Sequence, residues 1–237
     1  AGEIMRVFAI LIAFFASGLA GAQSLREDLF RALDDRNMTE LKRVIATGVH
    51  FTAKNEQGEP PLFVAVEKGD LAIVNLLLEA KVDPNGRTGN GETALHAAAL
   101  HVDPAFTDLL LQRGVDPKLA NRDGETALHW AALSGALEIV NRLVARVGNP
   151  GAANSEGDTA LHMAAAAGHA EIVAVLLEAN VRKTVRNKAG KTPLDLAIAN
   201  EHFDVAKLLS TAPPPAQIRV PPARAATVPA APPAASR

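Results

Sequence analysis

Histidine is the residue type whose number and spacing in this sequence first suggest chemistry. The chain has seven histidines and no cysteine, which excludes thiol catalysis, disulfides and cysteine-based zinc sites. His96, His129 and His162 stand 33 residues apart, so in a stacked repeat they would align on successive helices. Neighbouring helices pack about 8–10 Å apart, whereas zinc binds a histidine nitrogen at about 2.0–2.1 Å. We therefore expect these three histidines to be structural and to share no metal. The other four are expected to be solvated or bonded locally: His50, His101, His169 and His202.

Two further patterns could indicate a reaction centre, and neither has the context it needs. Residues 89–94 read G-N-G-E-T-A and match the dinucleotide-binding fingerprint. That fingerprint requires a preceding buried strand, and residues 83–88 are turn-forming instead. No serine lies in a G-x-S-x-G elbow, and acidic residues such as Glu156 and Asp158 flank turns. We expect no enzymatic activity and no cofactor.

A repeated block positions all of these residues. Residues 124–132 read G-E-T-A-L-H-W-A-A, residues 91–99 read G-E-T-A-L-H-A-A-A, and residues 157–165 read G-D-T-A-L-H-M-A-A. Weaker copies are G-E-P-P-L-F-V-A-V from residue 58 and G-K-T-P-L-D-L-A-I from residue 190. Every interval between the five glycines is 33 residues. A fixed period of this length is typical of a solenoid.

The block resembles the ankyrin repeat, which has a turn, a T-P-L-H-x-A-A segment and a second helix. The resemblance implies an all-α solenoid of about six helix-turn-helix repeats with short β-hairpin turns. A threonine can cap the first helix of each repeat, and the resemblance implies that the motif histidine bonds the backbone of the neighbouring turn. The residues concerned are Thr93, His96, Thr126, His129, Thr159 and His162. Trp130 takes a position that is usually packed between repeats.

The repeat register predicts the domain organisation. Residues 23–57 form a degenerate N-terminal capping repeat, and the five clearer repeats are 58–90, 91–123, 124–156, 157–189 and 190–210. Three positions depart from the pattern: Pro60 replaces the capping threonine, Val102 replaces the glycine between the helices, and Asp195 replaces the histidine. Residues 211–237 are rich in Pro and Ala and are expected to be a disordered tail.

The N-terminal residues predict export. Residues 1–22 contain Arg6, an apolar run over 7–16 and small residues at 20–22, the order found in a cleaved signal peptide. The alternative is an uncleaved anchor in the inner membrane, although the apolar run is shorter than the roughly 20 residues a span needs. We expect a periplasmic protein with no stable membrane insertion after cleavage, similar to small exported bacterial ankyrin-repeat proteins.

The remaining functional signal lies on the surface. A net charge of −2 gives no strong field for nucleic acid, so a protein is the expected partner of a monomeric chain. In ankyrin-like proteins the hairpin tips and the exposed ends of the first helices form a concave binding face. That resemblance gives the candidate partner-binding residues Arg87, Leu100, His101, Arg122, Asp123, Leu133, Glu156, Arg186 and Lys188. Leu100 and Leu133 are apolar where solvent is expected, so they are the best anchor candidates.

The predicted function is therefore a non-enzymatic protein–protein interaction module that binds its partner through the concave face. The alternative is an inhibitor or immunity-type protein that blocks a toxic or secreted enzyme. Both would use the same surface, so the sequence leaves both open.

Overall fold

The computed structural model describes residues 24–47, 53–101 and 103–211, and these residues form twelve helices in six consecutive pairs. This is an all-helical stack, as the period predicts. The helices are α1 (24–34), α2 (Met38–Ala46), α3 (Pro61–Glu67), α4 (Leu71–Glu79), α5 (Ala94–Ala98), α6 (Ala105–Gln112), α7 (Ala127–Ser134), α8 (Leu137–Val144), α9 (Ala160–Ala167), α10 (Ala170–Glu178), α11 (Pro193–Ala199) and α12 (Phe203–Thr211).

From α3 onward the helices form two layers. The first helices of successive pairs contact one another from α3 to α11, and the second helices do the same from α4 to α12. The first-helix layer is built largely of alanine: in α9, Ala160, Ala164 and Ala165 are completely buried. Small side chains let these helices approach closely. In the second-helix layer the buried side chains are larger and branched, for example Ile172 and Val173 of α10. The core is therefore continuous along the stack, as expected for repeats that cannot bury their apolar faces alone.

The turns between repeats form a second, polar line of contact. Each turn closes on itself, for example through the Asn121 N–H, which donates to the Glu125 carbonyl oxygen at 2.8 Å. Successive tips are joined by backbone bonds from Arg122 N to Asn90 O, from Ser155 N to Asp123 O and from Lys188 N to Glu156 O, at 2.7–2.8 Å. The predicted hairpins are reduced, in the described residues, to the isolated bridges Ala120–Thr126 and Ala153–Thr159.

The departure at Pro60 has a visible local consequence. Pro60 is the N-cap of α3 and provides no side-chain hydrogen bond, whereas Asp70 at the start of α4 accepts from the amides of Ala72 and Ile73. Pro61 at the first helical position partly compensates, because its fixed φ suits a helix start and its missing N–H needs no partner there. Helix α3 therefore begins with a restricted backbone in place of a cap.

Several sequence predictions fall outside the described residues. They concern the signal peptide at 1–22, His50, Val102 and the tail from 212 onward. Helix α12 includes Thr211, one residue beyond the predicted end of the last repeat. Within the described ranges, no helix is both long enough and apolar enough to cross a membrane.

Candidate protein-binding face

Three buried histidines join each repeat to the one that follows. His96, His129 and His162 lie three residues into α5, α7 and α9 and are at most 2% exposed. Their Nε2 atoms lie 3.0–3.2 Å from the carbonyl oxygens of Glu125, Asp158 and Lys191, each 29 residues further along the chain. The distance along the stack is thus spanned by one hydrogen bond from each ring to the turn of the next repeat.

The same geometry sets the tautomer of each ring. In the central repeat the Thr126 N–H donates to His129 Nδ1 at 3.1 Å, and Thr126 Oγ1 lies 3.0 Å from the same atom. A backbone amide can only donate, so Nδ1 must accept and the ring proton resides on Nε2. That N–H then donates to the Asp158 carbonyl. Thr93–His96 and Thr159–His162 repeat the arrangement.

A second set of histidines bonds in the opposite direction. Nε2 of His101, His169 and His202 lies 2.6–3.1 Å from the carbonyl oxygens of Val66, Leu133 and Ala166 in the preceding repeat. The expectation that these were local or solvated singletons is wrong. Their spacing hid the pattern, because His101 is displaced by two residues from the register of His169 and His202. Every histidine of the described residues therefore takes part in bonding between repeats.

The predicted tip residues lie where the register places them, at the ends of the turns. Arg122 and Asp123 share one tip, Glu156 and Lys188 occupy the next two, and all four are exposed. Their backbones form the line of tip-to-tip bonds, while their side chains are exposed to solvent. Lys188 Nζ and Glu156 Oε1 are 4.0 Å apart, a weak exposed pair.

Arg87 and Arg186 differ from the other tip residues because the protein already uses part of each guanidinium. Arg87 Nη1 donates to the carbonyl oxygens of Gly91 at 3.1 Å and Ala120 at 2.7 Å. Arg186 Nη1 donates to the Gly190 carbonyl at 2.6 Å and lies 3.6 Å from Asp195 Oδ2. Both side chains remain exposed, so they contribute positioned positive charge.

Large apolar side chains are exposed at the ends of the first helices. Leu100 is 57% exposed and Leu133 is 52% exposed, in agreement with their positions in the repeat. Ile198 and Phe203 near the end of the stack are also exposed, at 52% and 68%, and were not singled out from the sequence. The signal for them was present, since α11 and α12 form the last described pair and no further helix of the described residues packs beyond them.

The only tryptophan lies beside Leu100 in a groove of about 420 Å³. The groove runs across the first helices α3, α5 and α7. Its walls are formed by Glu59, Phe63, Glu67, Glu92, Ala97, Leu100, His101 and Trp130. The His101 ring thus lies at the predicted face. Its centroid is 4.7 Å from the centroid of the Phe106 ring, and its Nε2 atom is bonded to the Val66 carbonyl oxygen.

Trp130 is not a fully packed inter-repeat residue, and the sequence interpretation is corrected here. The side chain is half-buried, meets the edge of the His96 ring at 5.4 Å and donates from Nε1 to Glu125 Oε2 at 2.8 Å. Ala97 occupies the same register position one repeat earlier. Because alanine is small, the indole has space on that side, and the space forms one end of the groove.

The comparison with known families agrees with this geometry. A family model described as "Ankyrin repeats (3 copies)" matches residues 62–151 and 146–219, which together span more than half of the chain. The chain belongs to the ankyrin-repeat family. The comparison with curated proteins gives no significant match.

The carboxylates of this ankyrin groove form no ion pair within 4.0 Å in the described residues. Burial raises the pKa of the Glu67 carboxyl, the negative charges of Glu59 and Glu92 raise it further, and Lys68 and His101 act more weakly in the opposite direction. By contrast, hydrogen bonds from the Thr192 backbone and hydroxyl lower the pKa of Asp195, the residue that replaces the motif histidine. The groove therefore brings like-charged carboxylates together, whereas the Asp195 carboxylate of the last repeat accepts hydrogen bonds from Thr192.

The described residues contain no cluster of three or more His, Asp or Glu side chains able to hold a metal ion. The histidine Nε2 atoms face carbonyl oxygens, and the groove glutamates bond Asn, Thr and Trp donors. The ankyrin face presents apolar side chains, carboxylate acceptors and exposed basic tips.

The buried histidines predict a pH dependence of stability. Burial lowers the pKa of His96, His129 and His162 below the usual histidine value, an effect that exceeds the opposing influence of their carbonyl partners. Below pH about 6.5 the unfolded chain binds protons at these residues and the native ankyrin stack does not. The free energy of unfolding is therefore expected to fall as the pH decreases from 6.5 towards the native pKa values.

Urea titrations between pH 7.5 and 5 measure this dependence, and ring nitrogen and carbon chemical shifts identify the protonation state. We expect the three rings to stay neutral with the proton on Nε2 while the unfolding midpoint falls. A midpoint that is flat between pH 7.5 and 5, or rings that titrate at the ordinary histidine value, would contradict the assignment.

Proposed function

We propose that this protein is a non-enzymatic binding module that engages a protein partner through its concave face. The face consists of the groove residues, the exposed Leu100 and Leu133, and the tip residues Arg122, Asp123, Glu156 and Lys188. The observation that carries the proposal is the row formed by Leu100, Leu133 and half-buried Trp130. Large apolar side chains on a soluble surface mark interaction sites when they are grouped beside polar residues.

The scaffold supports this function because the face is formed before binding. Carbonyl bonds in both directions join consecutive repeats, and the tip-to-tip backbone bonds hold the turns. A partner therefore binds a surface with little conformational entropy left to lose. Membership of the ankyrin-repeat family is consistent with protein binding. The face needs no metal or cofactor for this purpose.

Export to the periplasm is part of the proposal and is supported by the amino-acid pattern of residues 1–22. In that compartment the absence of cysteine makes folding independent of disulfide formation. Fractionation of cells that express the chain, followed by mass determination of its N-terminus, tests both export and cleavage before Gln23. A cytoplasmic chain that keeps its first residues would contradict this part.

Affinity capture tests the binding face. The bait is residues 23–237, compared with the double variant Leu133→Asp, Arg122→Glu. We expect the wild-type chain to capture a discrete protein from a periplasmic extract and the variant to capture at least tenfold less. The lost apolar anchor and the reversed charge each remove about 1 kcal/mol or more at an interface core.

A matched control uses positions outside the residues of the proposed face. Leu71→Asp, Arg146→Glu makes the same changes at exposed positions, on α4 and after α8 in the second-helix layer. The control should capture like the wild type, and all three chains should unfold at similar temperatures. Equal capture by the three baits would exclude the Leu133–Arg122 region from the interface.

A further inference from the structure

We infer that the groove at Trp130 selects an extended peptide segment of a partner in which lysine or arginine alternates with apolar residues. This inference rests on the proposed function and names the chemistry of the partner at one part of the face. Its basis is the pairing of an apolar floor with carboxylates that form no ion pair within 4.0 Å in the described residues.

The floor of the groove is apolar and aromatic. Phe63 and Trp130 come from α3 and α7, and Leu100 lies just beyond the C-terminal end of α5. Small Ala97 between them leaves the depression. The groove therefore crosses three repeats, a length suited to a chain segment. A segment that lies across it would place successive apolar side chains against Phe63, Leu100 and the indole.

The rim of the groove carries negative charge that is held in place. Glu59 Oε2 accepts from Asn55 Nδ2 at 2.7 Å, Glu92 Oε2 accepts from Thr88 Oγ1 at 2.9 Å, and Glu125 Oε2 accepts from Trp130 Nε1 at 2.8 Å. These donors are neutral, so each orients a carboxylate without cancelling its charge. Glu125 lies beside the indole, so the carboxylate row extends along the groove.

Cations of the protein make no direct contact with these carboxylates in the part of the chain that the structure describes, although the charge of Lys68 acts on Glu67. No ion pair within 4.0 Å involves Glu59, Glu67, Glu92 or Glu125 in the described ranges. The nearby Lys68 pairs with Asp34 at 2.8 Å, and Arg87 is bonded to backbone carbonyls. Four like charges near an apolar floor attract a cationic occupant and disfavour an acidic one. The indole face also favours a cation.

The protein contains its own probe for the test. Trp130 is the only tryptophan and there is no tyrosine, so intrinsic fluorescence reports occupation of the groove. The full-length chain is titrated with a synthetic 12-residue peptide that alternates Lys or Arg with Leu or Val. Two companion peptides replace either the basic residues by Glu or the apolar residues by Ser. Calorimetry measures the same affinities independently.

We expect the mixed peptide to change the Trp130 emission and to bind at least tenfold more tightly than either companion. Glu67→Gln, Glu92→Gln removes two charges and keeps hydrogen-bonding groups, and it should weaken binding about fivefold, as expected for two exposed ion pairs. Glu171→Gln, Glu178→Gln removes the same charge from the exposed surface of α10 and should leave the affinity unchanged. Together these results would support a groove that recognises peptide segments in which basic and apolar residues alternate.

Three results would overturn the inference. They are an affinity equal to that of the mixed peptide for the companion with Glu, an equal affinity for the companion with Ser, or the same peptide affinity in the two glutamine variants. Self-association of the chain without peptide, seen by sedimentation and abolished by Leu100→Asp, would assign the groove to a second copy instead. If the Leu133→Asp, Arg122→Glu bait loses a partner while no peptide binds, the proposed function stands and only the basic chemistry fails.

Discussion

Replacing His129 by alanine is expected to lower the free energy of unfolding by about 3 kcal/mol. The imidazole accepts from the Thr126 amide through Nδ1 and donates to the Asp158 carbonyl through Nε2. Because the ring is 2% exposed, water does not readily replace it, and its loss leaves buried polar groups without partners together with a cavity. Urea unfolding at pH 7.5, followed by circular dichroism, measures the change.

The natural control for this variant is Asp195→Ala. Asp195 bonds the Thr192 amide and hydroxyl in the same way within its repeat, at 2.9 and 2.8 Å. In the described residues it makes no bond to a following repeat. Its removal should therefore cost clearly less than the removal of His129. An equal loss in the two variants would show that the bond to the next repeat contributes little.

Replacing Gly124 by alanine is expected to be about as damaging, at about 3 kcal/mol, for a different reason. The backbone of Gly124 has φ +76°, a left-handed conformation that costs an L-residue about 1 kcal/mol or more. A Cβ there would lie 2.8 Å from the Ser155 backbone nitrogen. That nitrogen donates to the Asp123 carbonyl at 2.7 Å, so the overlap forces apart one of the tip-to-tip bonds. Overpacking of this kind adds about 1–3 kcal/mol.

Gly190→Ala separates the two contributions. Gly190 occupies the same register position with φ +72°, and nothing lies within 4 Å of the site of its Cβ. Its replacement should cost about 1 kcal/mol, the conformational part alone. Thermal and urea unfolding of both variants measure the difference. Similar costs for the two would mean that contact between adjacent turns does not restrict position 124.

The repeat pattern was sufficient to predict the architecture because every copy carries the same local backbone preferences. Glycine at one position, threonine two residues later and small apolar residues in the next turn specify a turn and a short helix in each copy. Stacking follows because one copy cannot bury its own apolar side. The exposure of Leu100 and Leu133 follows from the same register, since residues 33 apart occupy equivalent positions.

The candidate site was only partly predictable, because it depends on neighbours that are distant in sequence. The repeat register predicts a packed Trp130, whereas in the structure the small Ala97 of the preceding repeat leaves space beside the indole. Glu59, Glu67 and Glu92 are separated by up to 33 residues in sequence, and the stack brings them to one groove. The second set of histidines bonds carbonyls 35 or 36 residues earlier, and an irregular spacing concealed the set.

The sequence by itself determined that the chain is an all-α repeat stack, where its turns lie and which side chains recur on each face. Those properties depend on backbone preferences and on the period, both of which are local. Only the tertiary structure decided which rings join the repeats, in which tautomer, and that an apolar groove with unpaired carboxylates crosses three of them. The physical reason is that burial, pKa and electrostatic complementarity depend on distances between repeats, which the packing of neighbouring helices sets.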